Sequence, residues 1–348
     1  MQIQKYKISV IVITYNQKHT IALCLESVLK LDYDNYEVIV VDDCSQDSTV
    51  EIIERFPCQL IKLDKHRGAA FARNRGAQKS SGEMLLFLDS DVIVSSNAAL
   101  EIFRALQEHP TAQAVQGRYS QESIPKNIFT QYKDYFNNYK NQWDESARVN
   151  IIATYCFAIR KQAFFEVGGF DAEIPGATVE DNDLGYRLSG AGSLVVLNTN
   201  LSVTHLKKYS LNSLLKRAYV VSFNMVKLFL RTRFTKQRRS QLRAFPFIPV
   251  SSGKRGNLPL VMSLILVFVI FSFTICYLLS FKLRYFVLFL FLTLVFILIN
   301  LKYLLVLSKI KGWRFCFAWV GIFYLDMLSV SFGLLHGGID FLIFQRKY

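Results

Sequence analysis

The sequence predicts an α/β domain built on a mostly parallel sheet, followed by an α-helical transmembrane region. Three observations carry this. Short runs of Val, Ile and Leu alternate with helical stretches over the first 90 or so residues. Polar clusters recur at the ends of three of those runs. After residue 258 three long apolar stretches follow one another.

The elements can be taken in order. Ile8 to Ile13, Glu37 to Val41, Gln59 to Leu63 and Met84 to Leu88 read as strands. Lys18 to Lys30, Asp47 to Phe56 and Gly68 to Lys79 read as the helices between them. Apolar strands alternating with helices predict a parallel sheet covered on both faces. Asn97 to Glu108 predicts a further helix. Lys126 to Trp143, with aromatics at mostly helical spacing, predicts a helix on the sheet or an aromatic platform for an acceptor. Asn150 to Ile159 reads as a strand, Val179 to Leu188 as a short helix, and Leu201 to Thr204 as strand-like. Tyr209 to Phe234 mixes apolar and basic residues in a helical pattern. It predicts an interfacial helix on the membrane, with a solvated surface helix as the alternative. The Pro-, Gly- and Ser-containing stretch Pro246 to Pro259 reads as the linker into the membrane.

The apolar stretches 258–280, 283–307 and 313–335 are each long enough to cross about 30 Å of hydrocarbon as a helix. Buried core helices rarely stay apolar on every face for so long. The expected organisation is therefore an α/β domain over 1–208, a basic interfacial helix and linker over 209–257, and a membrane region over 258–348. Met1 to Lys7 is polar and the run after it is too short for a signal-peptide core, so the first domain is expected to stay on the side where it is made. Arg231, Arg233, Lys236, Arg238, Arg239, Arg243, Lys254 and Arg255 precede the first apolar stretch, and Lys309, Lys311 and Arg314 lie between the second and third. Basic loops favour the cytoplasmic side. A multi-pass protein of the cytoplasmic membrane is expected, although Arg346 and Lys347 sit at an end that three spans would place outside.

The 348 residues carry a net charge of +14 and are 51% hydrophobic. These features coexist because they lie in different parts of the chain. The basic cluster abuts an apolar span, so anionic lipid rather than nucleic acid is its expected partner. Six cysteines show no metal-ligand spacing, which fits a reducing compartment.

In doubly wound sheets ligands bind at the carboxyl ends of the strands. Thr14-Tyr15-Asn16, Asp42-Asp43 and Asp89-Ser90-Asp91 all fall there, so they should converge on one crevice. Carboxylates on alternate positions, Asp89 and Asp91, suit magnesium or manganese; a turn and helix cap is the alternative. Asp42 or Asp43 can accept hydrogen bonds from a base or ribose, while Ser45 or Asp47 caps the next helix. Arg73 opens a small-residue helix that can approach the sheet closely. It reads as a planar donor to a base or diphosphate, or as a solvated arginine. Glu180-Asp181-Asn182-Asp183 follows Gly168-Gly169-Phe170-Asp171 and begins a helix, where a carboxylate can act as a general base or as a cap. His205 precedes the basic helix, in a metal-side, diphosphate or structural role.

Taken together, Val10 to Asn16, Val41 to Thr49, Ala72-Arg73-Asn74, Asp89-Ser90-Asp91, Gly168 to Asp171 and Glu180 to Leu184 resemble glycosyltransferase family 2, whose fold is GT-A, over roughly residues 7–206. The resemblance implies an inverting transferase that uses a nucleotide-diphospho-sugar and a divalent metal, Mg or Mn. It implies nucleotide-sugar contacts at Thr14, Asp42 or Asp43, Arg73 and Asp89, metal contacts at Asp89, Asp91 and His205, and Asp181 as the base. Gly169, Glu180 and Arg187 are assigned to the acceptor side or its support. No Gln-x-x-Arg-Trp segment follows Asp181, unlike processive members. The Glu-Asp-x-Asp-Leu pattern favours a hydroxyl acceptor, and the membrane region favours a glycan or polyprenyl-linked one. A polyprenyl-phosphate glycosyltransferase is the alternative enzyme. An inactive nucleotide-binding membrane scaffold is the alternative of another class.

Overall fold

The structure is a computed structural model that describes residues 6–120, 124, 126–142, 152–234 and 258–344. Its first part alternates β1 (Ile8–Thr14), α1 (Ile21–Val28), β2 (Tyr36–Asp42), α2 (Thr49–Ile53), β3 (Gln59–Lys62), α3 (Ala69–Lys79) and β4 (Met84–Asp89). The chain then adds β5 (Val92–Val94), α4 (Ala98–Glu108), β6 (Ala112–Tyr119), α5 (Ile128–Gln142), β7 (Cys156–Arg160), α6 (Lys161–Glu166), α7 (Glu180–Gly190) and β8 (Leu194–His205). These strands form one eight-stranded sheet in the order β3-β2-β1-β4-β7-β6-β8-β5.

The first four strands are mutually parallel, with β1 in the middle. β7 runs antiparallel to both β4 and β6, β6 is parallel to β8, and β5 is antiparallel to β8. The continuous apolar runs follow from burial on both faces. Val10, Val12, Leu86 and Leu88 face one layer with α1 and α4, while Ile11, Leu85 and Phe87 face the other with Phe164, Phe170 and Leu184. The expected close approach of α3 holds. A Cβ on Gly76 would lie 2.5 Å from Ile11 Cγ2, so only glycine fits there.

Beyond β4 the sequence reading thins. β5, β6 and α6 were not anticipated, β8 extends seven residues ahead of the expected Leu201, and β7 starts at Cys156 rather than Asn150. The physical reason is visible in the residues. β6 (AQAVQGRY) and β8 (LVVLNTNLSVTH) carry Gln, Asn, Ser and Thr within buried strands and lack a clean apolar run. One of these polar groups is satisfied internally: Gln116 Nε2 donates to the carbonyls of Gly117, Ala153 and Cys156, and its Oε1 accepts from Ala153 N at 2.7 Å.

The remaining helices are α8 (Leu211–Phe234), α9 (Leu258–Ser280), α10 (Leu283–Ile299), α11 (Leu301–Lys311) and α12 (Trp313–Phe344). Val261–Ser280 and Trp313–Phe344 are long and apolar enough to cross a membrane, and α10 with α11 makes a third candidate that bends by 67°. The expected second span is thus broken at Asn300. The Asn300 side chain donates to the carbonyl of Phe296 and to Ser263 Oγ, both at 2.9 Å, meeting backbone and side-chain acceptors at the break. α12 continues past the expected end at Leu335 because its second half is braced by protein. Lys227 Nζ on α8 pairs with Asp340 at 2.7 Å. Cβ atoms on Gly333 and Gly337 would meet the carbonyls of Tyr219 and Phe223 at 2.4 Å, so the two helices touch backbone to backbone through a Gly-x-x-x-Gly face. The face of α8 carrying Ser222, Met225 and Lys227 is accordingly buried. Tyr132 of α5 donates to Asp326 of α12 at 2.8 Å inside a cluster with Trp319, Phe323 and Phe296. All six cysteines are free thiols. The basic residues Lys236 to Arg255, the linker Pro246 to Pro259 apart from its last two residues, Trp143, Arg346 and Lys347 lie outside the described residues.

Candidate active site

Strand register brings the motifs together. Thr14 is level with Asp42, and Ile13 with Asp89, at the carboxyl ends of neighbouring parallel strands. Asp43 N donates to Thr14 O at 2.9 Å. Asp42 accepts from Ser45 N at 2.9 Å through one oxygen. Its other oxygen and Thr14 Oγ1 are buried with no hydrogen-bond partner among the described residues. Asp43 is fully engaged: it accepts from Arg67 N at 2.7 Å and Gly68 N at 2.8 Å, and pairs with His66 Nδ1 at 2.9 Å. Of the two aspartates, Asp43 therefore holds the start of α3, and Asp42 keeps a free acceptor. Asp47 accepts from the backbone N and the hydroxyl of Thr49, the first residue of α2, but the cap position itself is Ser48, not the expected Ser45 or Asp47. Beside them the exposed Tyr15 ring lies 4.2 Å from the His66 imidazole, a shelf the sequence reading missed.

Arg73 crosses the cleft floor. It is 2% exposed, donates through Nη2 to Asp89 and through Nη1 to Glu180, both at 2.8 Å, and lies over the Phe170 ring. It is neither a solvated arginine nor an open donor to a diphosphate. It joins the end of β4 to the start of α7, reaching a partner 107 residues further along the chain in Glu180. Glu180 also accepts from Thr178 N at 2.6 Å, so its role is to bind Arg73 and the loop before α7. Asp181, the next residue, lines the cleft and among the described residues accepts only from Asn182 N. Burial and then the neighbouring Glu180 push its carboxyl up to about 7, against the opposing pull of Arg73. Asp89 is one-third exposed and keeps one oxygen clear of Arg73.

The far wall is looser. Asp91 and His205 face each other at 3.6 Å, and His205 Nδ1 lies 3.9 Å from Asp134 of α5. Asp134 is a residue sequence reasoning missed: its one signal was a carboxylate inside an aromatic helix. Both its oxygens and His205 Nδ1 are buried without a hydrogen-bond partner among the described residues. Burial works against the charged imidazole, but Asp134 and Asp91 outweigh it and hold His205 at about 9. Burial likewise opposes the Asp91 carboxylate, and His205 and Lys207 bring it below its ordinary value. Tyr119 stacks on Tyr155 at 3.8 Å and lies 4.8 Å from His205. Burial raises both phenols. Asp91 and Asp89 add to the effect at Tyr119, and Cys156, Asp181 and Asp89 at Tyr155. The stacked pair thus sits among all three aspartates.

Two assigned residues act at a distance from this cleft. Arg187 is buried against Asp183, at 2.6 and 2.8 Å, and donates to Val167 O at 2.6 Å, locking α7 onto the preceding loop. Gly169 has φ +65°, and a Cβ there would lie 2.8 Å from Asn74 Oδ1. Asn74 in turn clamps Phe170 through its backbone N and O. Both residues shape the loop that delivers Glu180 and Asp181. No group of three His, Cys, Asp or Glu side chains in metal-binding geometry occurs among the described residues. Asp91 and His205 do offer two buried donors on one wall. That fits an ion such as Mg or Mn, which takes one or two protein ligands and fills the rest with phosphate and water. A separate cavity of about 860 Å³, lined by Tyr6, Gly82 and Arg160 among others, opens at the opposite end of the sheet, away from the aspartates.

A sheet of this order, with acids gathered at the ends of β2 and β4 beside Thr14 at the end of β1, defines a GT-A domain. Residues 9–168 match the model of glycosyl transferase family 2. Over those residues, somewhat under half of the chain, it is similar to that family. It is 28% identical over 200 residues to an uncharacterized glycosyltransferase of Haemophilus influenzae, covering 57% of this chain and 67% of that protein. It is 29% identical over 175 residues to a poly-beta-1,6-N-acetyl-D-glucosamine synthase of Staphylococcus epidermidis, covering 48% of this chain and 42% of the synthase. The chain therefore spans two thirds of the first relative and less than half of the second. Among solved structures, the mannosyltransferase PcManGT from Pyrobaculum calidifontis, in complex with GDP-Man and Mn2+, shares the fold with a TM-score of 0.64 at 17% identity, covering 95% of this chain and 87% of that one.

Proposed function

We propose that the protein is an inverting, metal-dependent glycosyltransferase. It moves a sugar from a nucleotide-diphospho-sugar to a hydroxyl of a lipid-linked glycan acceptor at the cytoplasmic face of the membrane. The observation that supports this best is the Arg73 bridge, which sets Asp181 beside Asp89 with the Asp91–His205 wall in the same cleft.

The free acceptors of Thr14 and Asp42 meet the nucleoside, and the Tyr15–His66 shelf stacks its base. Asp89 uses its open oxygen toward the ribose or the ion. Asp91 and His205 would hold the ion, with Asp134 fixing the imidazole from behind. When bound, a divalent ion neutralises charge on the departing diphosphate; PcManGT is seen with Mn2+ and GDP-Man. Arg73 touches no substrate in this scheme; it positions Asp89 and, through Glu180, Asp181. The acceptor hydroxyl gives its proton to Asp181 while its oxygen bonds to the anomeric carbon. The bond from that carbon to the diphosphate breaks on the opposite face, so configuration inverts. A base whose pKa lies near neutrality suits this step.

The test is Asp181→Asn in purified, folded protein. Transfer should fall by roughly 100- to 10,000-fold with donor binding retained. Near-normal transfer would remove Asp181 from the role of base.

A further inference from the structure

α12 is long and apolar enough to cross a membrane, yet one of its faces is occupied along most of its length. Near its start the Phe315 ring lies 6.1 Å from Tyr135 of α5, and the Trp319 ring 5.6 Å from Tyr132. Asp326 accepts from the Tyr132 hydroxyl at 2.8 Å. Further along, α8 takes over. Ser329 Oγ donates to Leu215 O at 2.7 Å, Gly333 and Gly337 lie against the carbonyls of Tyr219 and Phe223, and Asp340 pairs with Lys227 at 2.7 Å.

Both covering helices are tied to the α/β domain. α5 carries Asp134, which faces His205. α8 holds the loop ahead of α7: Arg217 donates to Ala177 O, Arg231 pairs with Asp171 at 3.0 Å and with Glu173, and Met225 and Leu228 pack with Ile174 and Val179. The covered stretch from Phe315 to Asp340 is about 39 Å long at about 1.5 Å per residue. The hydrocarbon core of a bilayer is only about 30 Å thick. Were α12 to cross it, the exposed Lys216, Arg217 and Glu173 would be carried alongside into hydrocarbon, where ionised side chains are costly.

The opposite face of α12 is apolar and open. Phe317, Leu325, Phe332, Leu335, Ile339 and Leu342 are exposed, and helical spacing sets them on one stripe away from Trp319, Asp326, Gly333 and Asp340. A helix with one open apolar face lies in the plane of a lipid surface. The side on which the chain continues agrees. α9 and α10 are joined only by Phe281 and Lys282, and their far ends are level, with Asn300 donating to Ser263 Oγ at 2.9 Å. Such a hairpin returns the chain to the face it left. Three crossings would put Arg346 and Lys347 opposite the basic stretch Lys236 to Arg255. With α12 in the plane, all of them lie on one side, as the bias of basic residues toward the cytoplasmic face favours.

We propose that α12 is not a span but the seat of the α/β domain on the bilayer. It lies along one leaflet with the stripe from Phe317 to Leu342 in the lipid, and the hairpin α9–α10 is the part that enters the hydrocarbon core. The partner of this surface is a lipid bilayer, and the inference stands apart from the transfer reading.

The test is the sidedness of the two ends of α12. The full chain has its six cysteines replaced by serine or alanine, and its thermal midpoint is checked against wild type. One cysteine at a time is then placed by Glu108→Cys, Arg314→Cys or Phe344→Cys, at positions that are all exposed. Each variant is treated with a membrane-impermeant maleimide in sealed vesicles of known orientation. Arg314→Cys and Phe344→Cys should both be labelled from the side that labels Glu108→Cys in the α/β domain. Labelling of either from the other side would overturn the proposal. A second measurement leaves the cysteines in place. Alkaline phosphatase, active only outside the bacterial inner membrane, is fused after Tyr348 and should be inactive, while a fluorescent protein at the same position should shine. An active phosphatase there would put α12 across the bilayer and refute its role as a seat.

Discussion

The two walls of the cleft are built to different degrees of completion. Around Arg73 the side chains are closed on one another: both terminal nitrogens bond carboxylates at 2.8 Å, and Glu180 spends its second oxygen on the backbone. Around His205 the separations are 3.6 and 3.9 Å, and the buried oxygens of Asp134 have no hydrogen bond among the described residues. A closed network fixes geometry. A buried polar group left open costs free energy, and its retention points to a ligand that completes it. On the function proposed above, the first wall is scaffold for the second, which is the receptor.

The largest expected effect tests the scaffold. Arg73→Met should leave Asp89 and Glu180 facing a lost partner and destabilise the domain by about 3–5 kcal/mol, read as the shift in denaturant or thermal midpoint. Asp91→Asn, in the open wall, should change that midpoint far less. Equal losses would erase the difference between the walls.

How much of this was legible in the sequence follows the same division. β1, β2 and β4 and the polar clusters at their ends could be read because each strand is a largely apolar run ending at such a cluster. Asp91, His205 and Asp181 were legible through spacing and family likeness. Asp134 was not, because its importance comes from the packing of α5 against β8, which no local pattern encodes. Arg73 was placed at the site but given the wrong neighbours. A buried bidentate bridge and an open anion donor look alike until the partner 107 residues away is known. β6 and β8 hid behind polar residues whose hydrogen bonds are made by tertiary neighbours. The break at Asn300 was hidden because a polar residue near the end of an apolar stretch can lie at a membrane edge as readily as at a kink.

The next effect in size sharpens the receptor wall. Asp134→Asn keeps the shape but removes the charge behind His205, so Mn2+ affinity in the presence of a nucleoside diphosphate should fall about 10- to 100-fold, measured by calorimetry. An unchanged affinity would make Asp134 a packing residue.

The Asp181 carboxyl, which belongs to neither wall, gives a pH signature of two opposite signs. Its pKa is raised to about 7, so the folded state holds the proton more tightly than the unfolded chain does. Its contribution to stability is present at low pH and is lost as pH rises toward and through about 7. The turnover rate should rise over the same interval as the base becomes ionised. Asp181→Asn should flatten both the midpoint and the rate profiles around neutrality. A wild-type rate that is flat between pH 6 and 8 would contradict this base; that range brackets the value of about 7.

The smallest effect concerns the brace outside both walls. Gly337→Ala places a methyl against the Phe223 carbonyl and should cost about 1–3 kcal/mol of stability. Donor affinity should stay as in wild type, because the Gly337–Phe223 contact involves none of Asp91, Asp134 and His205.

The account turns on the open wall receiving an ion and a diphosphate together, and one titration addresses this directly. UDP and GDP are titrated into wild type and Asp91→Asn, each with and without Mn2+. The predicted result is that Mn2+ tightens the binding of at least one nucleotide to wild type and leaves the variant unaffected. Binding that is indifferent to Mn2+ in wild type, or strengthened equally in Asp91→Asn, would contradict it.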